Sequence, residues 1–174
     1  MEPSSSELQP NWGHYFLMYA IVTFFWFLLV GSLKKDEVIV GLVVGAIITI
    51  LMIPRLTILA GVRLSPSAPL ALLRYLIIFI GALVQSNVDM ARRVLSPSLP
   101  IRPGLVEIRT ELESPIGKLL LANSITLTPG TLTVDVVDDR IMVHWIDCPP
   151  GGTVEDRTRA IADSFERLLR GFVK

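Results

Sequence analysis

Residues 14–33 read HYFLMYAIVTFFWFLLVGSL, twenty positions without a formally charged side chain. At a rise of about 1.5 Å per residue this helix is roughly 30 Å long, the thickness of a bilayer's hydrocarbon core. Trp12, Tyr15, Phe16 and Tyr19 gather near its start, where amphipathic rings favour the membrane interface. Residues 1–33 hold no Lys or Arg. The basic segment of a secretory signal is therefore missing, and the stretch reads as a retained membrane helix.

Working outward, residues 1–13 are rich in Ser, Pro and acid and read as a disordered tail. On the other side, Lys34-Lys35-Asp36-Glu37 is too polar for the membrane centre, and Val38 to Ile53 is again uncharged up to Pro54. This predicts a hairpin of helices over 14–33 and 38–54. Gly41 and Gly45 form a small-xxx-small pair that would let a helix approach closely, although Gly is also common in membrane helices for no special reason. Arg55 to Pro69 reads as a connection lying partly along the interface. A third apolar run, Leu70 to Val84, carries Arg74 and passes into Gln85, Asn87, Asp89, Arg92 and Arg93. A continuous helix over 69–95 would be about 40 Å long, so its last two turns should project into water.

The fold class read from these patterns is a membrane α-helical region, residues 14–95, with three transmembrane helices, or two with a re-entrant or interfacial element as the alternative. The Lys and Arg bias orients three spans with the N-terminus outside, although Arg55 and Arg63 then fall on the wrong side. The whole chain fits a bilayer: 174 residues, 51% hydrophobic, with a mean hydropathy of +0.57. Its net charge of zero gives no footprint for nucleic acid.

Ser96, Pro97, Pro100 and Pro103 mark a linker over 96–103, and a small α+β domain of order β-α-β-β-α over 104–174 should follow on the cytoplasmic side. Val106, Ile108, Thr110 and Leu112 alternate with charged residues as a half-buried strand. Ser114-Pro115 supplies an N-cap and a first-turn proline for a helix running to about Ile125. Thr131 to Val137 and Arg140 to Ile146 alternate as strands joined at Asp138-Asp139. Thr153 and Asp156 open a last amphipathic helix bearing Ile161, Phe165, Leu168, Leu169 and Phe172 on one face.

The chemistry in this chain is sparse. Proton or sodium carriers need ionisable side chains at depth. The three apolar runs hold no Asp, Glu or Lys, and only Arg74 near an end, where snorkelling is the simpler reading. His14 reads as an interface anchor. His144, beside Trp145, has no nucleophile evident near it, and Cys148 cannot form an intrachain disulfide. Asp135, Asp138, Asp139 and Asp147 lack calcium-loop spacing and read as a solvated hairpin. No catalytic residue, metal site or cofactor is expected. Leu121 to Val136, LANSITLTPGTLTVDV, packs hydroxyl and apolar residues together with few charges, which suits burial against another protein.

That run, with Val143-His144-Trp145-Ile146, Ser86-Asn87-Val88 and Ala91, closely resembles the signature of the E subunits of the Mrp-type multisubunit sodium/proton (monovalent cation/proton) antiporter family. The resemblance implies membership of a large complex in the bacterial cytoplasmic membrane, as a multi-pass, non-conducting accessory subunit that supports assembly. It also implies partners that include large complex I-like membrane subunits, which hold the ion pathways. The alternatives are the corresponding subunit of a membrane-bound hydrogenase-type complex, or a membrane-tethered ligand-binding or enzyme module. Carried onto this sequence, the signature falls on Asn87, Ala122, Asn123, Ser124, Thr126, Thr128, Pro129, Gly130, Thr131, Asp135, His144 and Trp145, the expected subunit-docking residues.

Overall fold

The computed structural model describes residues 9–98 and 101–174. Residues 1–8 of the expected tail and 99–100 of the expected linker lie outside the described residues. The chain divides into two compact units, one ending at Leu64 and one beginning at Ser65.

The first unit is a helical hairpin. Helix α1 spans Trp12–Val30 and α2 spans Lys35–Leu51. Asn11 opens α1: its side chain accepts from the His14 backbone N–H, and the His14 ring accepts from the Asn11 N–H, which brings the start of the helix into the expected tail. Gly31, with φ 63, ends α1. The charged tetrad expected as a break supplies the first turn of α2 instead, because Asp36 and Glu37 complement the exposed N–H groups and dipole there. Gly41 and Gly45 are used within the hairpin itself. A Cβ on Gly41 would meet Trp26 Cδ1 at 2.5 Å, and one on Gly45 would meet Thr23 Oγ1 at 2.6 Å. Trp26 Nε1 donates to the Glu37 carbonyl at 3.2 Å across the same contact.

Pro54 helps to end α2, and the chain bends by 86° into a 3-10 helix, Ile53–Gly61. Leu56 and Ala60 bury against the hairpin. Because Nδ1 of His14 accepts from Asn11, its Nε2 carries the proton and donates to the Val62 carbonyl at 3.0 Å. The end of the 3-10 helix is thereby tied to the start of α1.

In the second unit, α3 (Ala68–Leu95) is followed by β1 (Gly104–Arg109), α4 (Pro115–Leu127), β2 (Thr131–Val137) and β3 (Arg140–Trp145). Two short helices, α5 (Val154–Ile161) and α6 (Asp163–Leu169), stand where one was expected. Ala162, at φ −111, turns the chain between them. The turn leaves α5 against β1 and directs Phe165, Leu169 and Phe172 toward α3 and α4.

The antiparallel sheet has order β1-β3-β2. Val106, Ile108, Ile141 and Val143 fill its inner face, against the helices. Val134 is a bulge residue: Thr133 pairs with Val143 and Asp135 with Met142. One extra residue reverses the phase of the strand, so Asp135 does not share a face with Thr131 and Thr133 as simple alternation predicted.

One stripe of α3, at 68, 71, 75, 79, 82, 86, 90 and 93, is less exposed than the rest and follows helical spacing. Tyr75 stacks on Phe79 and tilts against Phe172, and Phe79 meets Phe165 edge-on. Farther along, Met90 Cε lies 3.7 Å from where a Cβ on Gly130 would sit. Arg93 Nη1 donates to Asp147 Oδ2 at 2.7 Å, Arg93 Nε to Asp89 at 2.7 Å and Arg102 Nε to Asp147 Oδ1 at 3.0 Å. Asp147 is therefore a tie between α3, the linker and the end of β3, and not part of a solvated hairpin.

Two outcomes test this packing. Replacing Gly45 by Ile should overpack the α1–α2 contact by about 1–3 kcal/mol. Thermal unfolding in mild detergent should show the loss, whereas Gly81→Ile, at a position with open space around it, should leave the transition in place. For Asp147, hydrogen bonds from Arg93 and then Arg102 hold the carboxyl below the ordinary Asp range. A depressed folded pKa contributes stability above the unfolded value of about 3.9, and that contribution is lost as pH falls through the folded value. Asp147→Asn should therefore lower the unfolding temperature at pH 7, with the gap to the wild type closing under strong acid.

Candidate subunit-docking surface

The hydroxyl-rich block lies on the end of α4 and on β2. A helix ends with carbonyls that have no intrahelical partner. Here threonine hydroxyls add donors at this end of the helix, to two of its last four carbonyls and to one a turn earlier. Thr133 Oγ1 donates to the Ala122 carbonyl at 3.0 Å, Thr128 Oγ1 to Ser124 at 2.7 Å and Thr131 Oγ1 to Ile125 at 2.7 Å. The Thr126 hydroxyl accepts from the Thr133 N–H at 3.1 Å. Ser124, fully enclosed, donates to the Leu120 carbonyl, so the Tyr75 hydroxyl donates to Ser124 Oγ at 2.7 Å. Ser124, Thr128 and Thr131 thus serve the fold directly.

Pro129 and Gly130 make the turn into β2. Gly130 takes φ 99, a conformation only glycine adopts freely, and its carbonyl accepts from the Ile146 N–H at 2.8 Å. Together with Trp145, Ala82, Ile161 and Phe165, this turn lines a cleft of about 290 Å³. Asn87 stands apart on α3, donating to the Leu83 carbonyl of its own helix.

The outer face of the sheet has no helix over it among the described residues. Its first row runs Leu105–His144–Leu132 and its second Glu107–Met142–Asp135, with Val134 bulging between them. Leu105, Leu132 and Val134 are 61%, 49% and 57% exposed. His144 therefore lies between two leucines, and Asp135 accepts from the neighbouring Val136 N–H at 2.8 Å. A shallow depression of about 230 Å³ is framed by Glu107, Asp135, Val137, Arg140 and Met142. The structure thus divides the twelve expected residues. Asn87, Asn123 on α4, Asp135 and His144 are exposed, the hydroxyls are spent on the α4–β2 lock with the Ala122 carbonyl, and the turn with Trp145 borders the cleft. Leu132 and Val134 fall within the run expected to be buried against another protein, whereas Leu105 was not expected on this face. Their alternation was readable, but the absence of a covering helix was not.

A larger polar groove of about 580 Å³ lies between β1, α5 and α6. Charges across it are paired: Arg170 donates to Glu166 and to Glu111, which push its guanidinium pKa up, and Arg167 pairs with Asp163. Such a surface is already internally satisfied.

The family model described as Na+/H+ ion antiporter subunit matches residues 19–171. The E subunit of a Na(+)/H(+) antiporter from Alkalihalophilus pseudofirmus is 40% identical over 57% of this chain and 62% of its own length. The match thus spans less than two thirds of that relative. The E1 subunit of a Na(+)/H(+) antiporter from Staphylococcus aureus is 30% identical over 86% of this chain and 91% of its own. Among solved structures, a chain of the membrane-bound sulfane sulfur reductase, an archaeal respiratory membrane complex, is 38% identical. It overlaps 90% of this chain and 97% of that one, with a TM-score of 0.78. A chain of the Mrp complex from Dietzia sp. DQ12-45-1b is 30% identical, covering 59% of this chain and 96% of that one, with a TM-score of 0.44. Matched across most of its length, the chain belongs to the family of the E subunits of Na+/H+ antiporters.

Proposed function

We propose that this chain is an accessory, non-conducting subunit of a multisubunit monovalent cation/proton antiporter, and that it supports assembly of the complex. The observation that carries the reading is the membrane hairpin. Between Trp12 and Val30, and between Val38 and Met52, there is no Asp, Glu, Lys or Arg. A proton or sodium path needs such groups at depth. His14, at the hairpin's end, has both ring nitrogens committed to Asn11 and Val62. Conduction then belongs to the other subunits, large complex I-like ones among them, and this chain offers them the uncovered outer face of its sheet in the cytoplasm. Apolar residues grouped at Leu105, Leu132 and Val134 and rimmed by Glu107, Asp135 and Arg140 have the make-up of an interface core with a polar rim.

A second reading has its own support. The overlap with the sulfane sulfur reductase chain at a TM-score of 0.78 and 38% identity favours a corresponding place in a respiratory membrane complex. The two differ in the partners present, and not in what this chain does.

Purification of the tagged chain from native membranes in mild detergent should bring down several larger hydrophobic proteins in fixed ratio. Redox-active subunits among them would select the second reading. Leu132→Asp with Val134→Asp should lose those proteins while the chain stays folded and membrane-bound. Recovery of the wild type as a clean monomer, or sodium-for-proton exchange in vesicles holding this chain alone, would overturn the proposal.

A further inference from the structure

Within the first unit, the 3-10 helix Ile53–Gly61 runs across the end of the hairpin where α1 begins. It leaves α2 at 86°, so it lies parallel to the membrane plane when α2 stands across the bilayer. Three contacts hold it there. Leu56 and Ala60 are enclosed against the hairpin, and Leu64 Cδ1 comes within 2.5 Å of where a Cβ on Gly13 would sit. The third is the bond from His14 Nε2 to the Val62 carbonyl at 3.0 Å. These fix the depth of the 3-10 helix at the start of α1. Trp12 and Tyr15 mark that depth, their ring centres 6.0 Å apart, and such rings settle at headgroup level.

Charge is divided unevenly between the two ends of this unit. Residues 9–33 and 52–64 include Arg55 and Arg63 and no Asp or Glu, whereas Lys34 and Lys35 at the opposite end stand beside Asp36 and Glu37. His14 adds no charge to the arginine end, because its Nδ1 accepts from the Asn11 N–H. Both arginines are exposed, and Arg55 has no acidic partner among the described residues. Beside them Ile53, Ile58 and Leu64 are 45%, 54% and 44% exposed. An element at headgroup depth thus presents aliphatic side chains together with guanidinium groups that no acid of this unit offsets.

We propose that the 3-10 helix is a binding site for anionic phospholipid. Arg55 and Arg63, near its two ends, each donate N–H groups to the phosphate oxygens of one headgroup, and Ile53, Ile58 and Leu64 meet the upper acyl chains. A zwitterionic headgroup brings its own cation beside the phosphate. Arginines without acids therefore favour a headgroup of net negative charge, by about fivefold for each cation held near an anionic surface. The site rests on the first unit alone and is independent of which subunits the chain assembles with.

The test uses the full chain reconstituted in zwitterionic bilayers. In a Cys148→Ser background, a fluorophore is placed on a single cysteine at Thr57, between the two arginines, or at Ser32, at the opposite end. Trace brominated phosphatidylglycerol should quench the Thr57 probe about fivefold more strongly than brominated phosphatidylcholine, and the ratio should fall toward one in high salt. At Ser32 the two lipids should quench alike. Arg55→Gln, alone or with Arg63→Gln, should lower the Thr57 ratio, and Arg55→Lys should keep most of it, with thermal unfolding in detergent checking that each variant is folded. Bromines high on the acyl chain should quench Thr57 more than bromines near its end. Equal quenching by both lipids at Thr57, or a ratio that survives Arg55→Gln with Arg63→Gln, would overturn the proposal. So would quenching by neither lipid, which shows that protein covers the helix, and so would a ratio erased by millimolar inorganic phosphate at constant ionic strength, which shows a site for the free ion.

Discussion

The second unit depends on the contact between α3 and the helices of the α/β domain. Tyr75 and Phe79 stack on each other and wedge against Phe165 and Phe172, while the Tyr75 hydroxyl reaches the enclosed Ser124 of α4. A domain of roughly 70 residues is near the lower limit for a core that stands alone. Here α3 closes that core: Tyr75 is a full member of the buried cluster, and Ala68, Ala71, Phe79 and Ala82 pack on it. The small side chains at 68, 71 and 82 let the helix approach closely, and the aromatic pair fills the space between. The arrangement gives the helix a face for the domain and leaves the opposite one for another apolar phase.

The signature block shows how one stretch of sequence can serve a fold and a surface at once. Its threonines satisfy the carbonyls at the end of α4 and pin β2 beneath it, so the inner-facing hydroxyls are consumed by local bonds. The bulge at Val134 then turns Asp135 outward beside Met142. With the sheet anchored on one side by these bonds, the other side stays free of helices. Leu105, Leu132 and Val134 remain there without a covering surface from the described residues, a state that a protein in isolation would be expected to avoid and one in an assembly would not.

The two units divide the work of a membrane protein that serves a larger assembly. The hairpin is held by close glycine contacts and carbonyl hydrogen bonds, with ionisable groups kept to its ends. That suits an anchor better than an ion path. On the proposed reading, the exposed sheet face is where this chain would meet other subunits.

Much of this was legible in the chain itself. Apolar runs long enough for lipid, the caps at Ser114 and Thr153, the Asp138-Asp139 turn and the alternation of β1 and β3 are local properties, written in residue type and spacing. They can therefore be read without knowing any long-range contact. What residue type could not decide was which surface each apolar face would meet. The period of α3 is the same whether lipid or a domain lies against it, a strand's phase changes silently at a single bulge, and Asp147 looks like any loop acid until Arg93, fifty-four positions away, is brought to it. Those outcomes depend on packing between segments distant in sequence, and only the tertiary structure sets them.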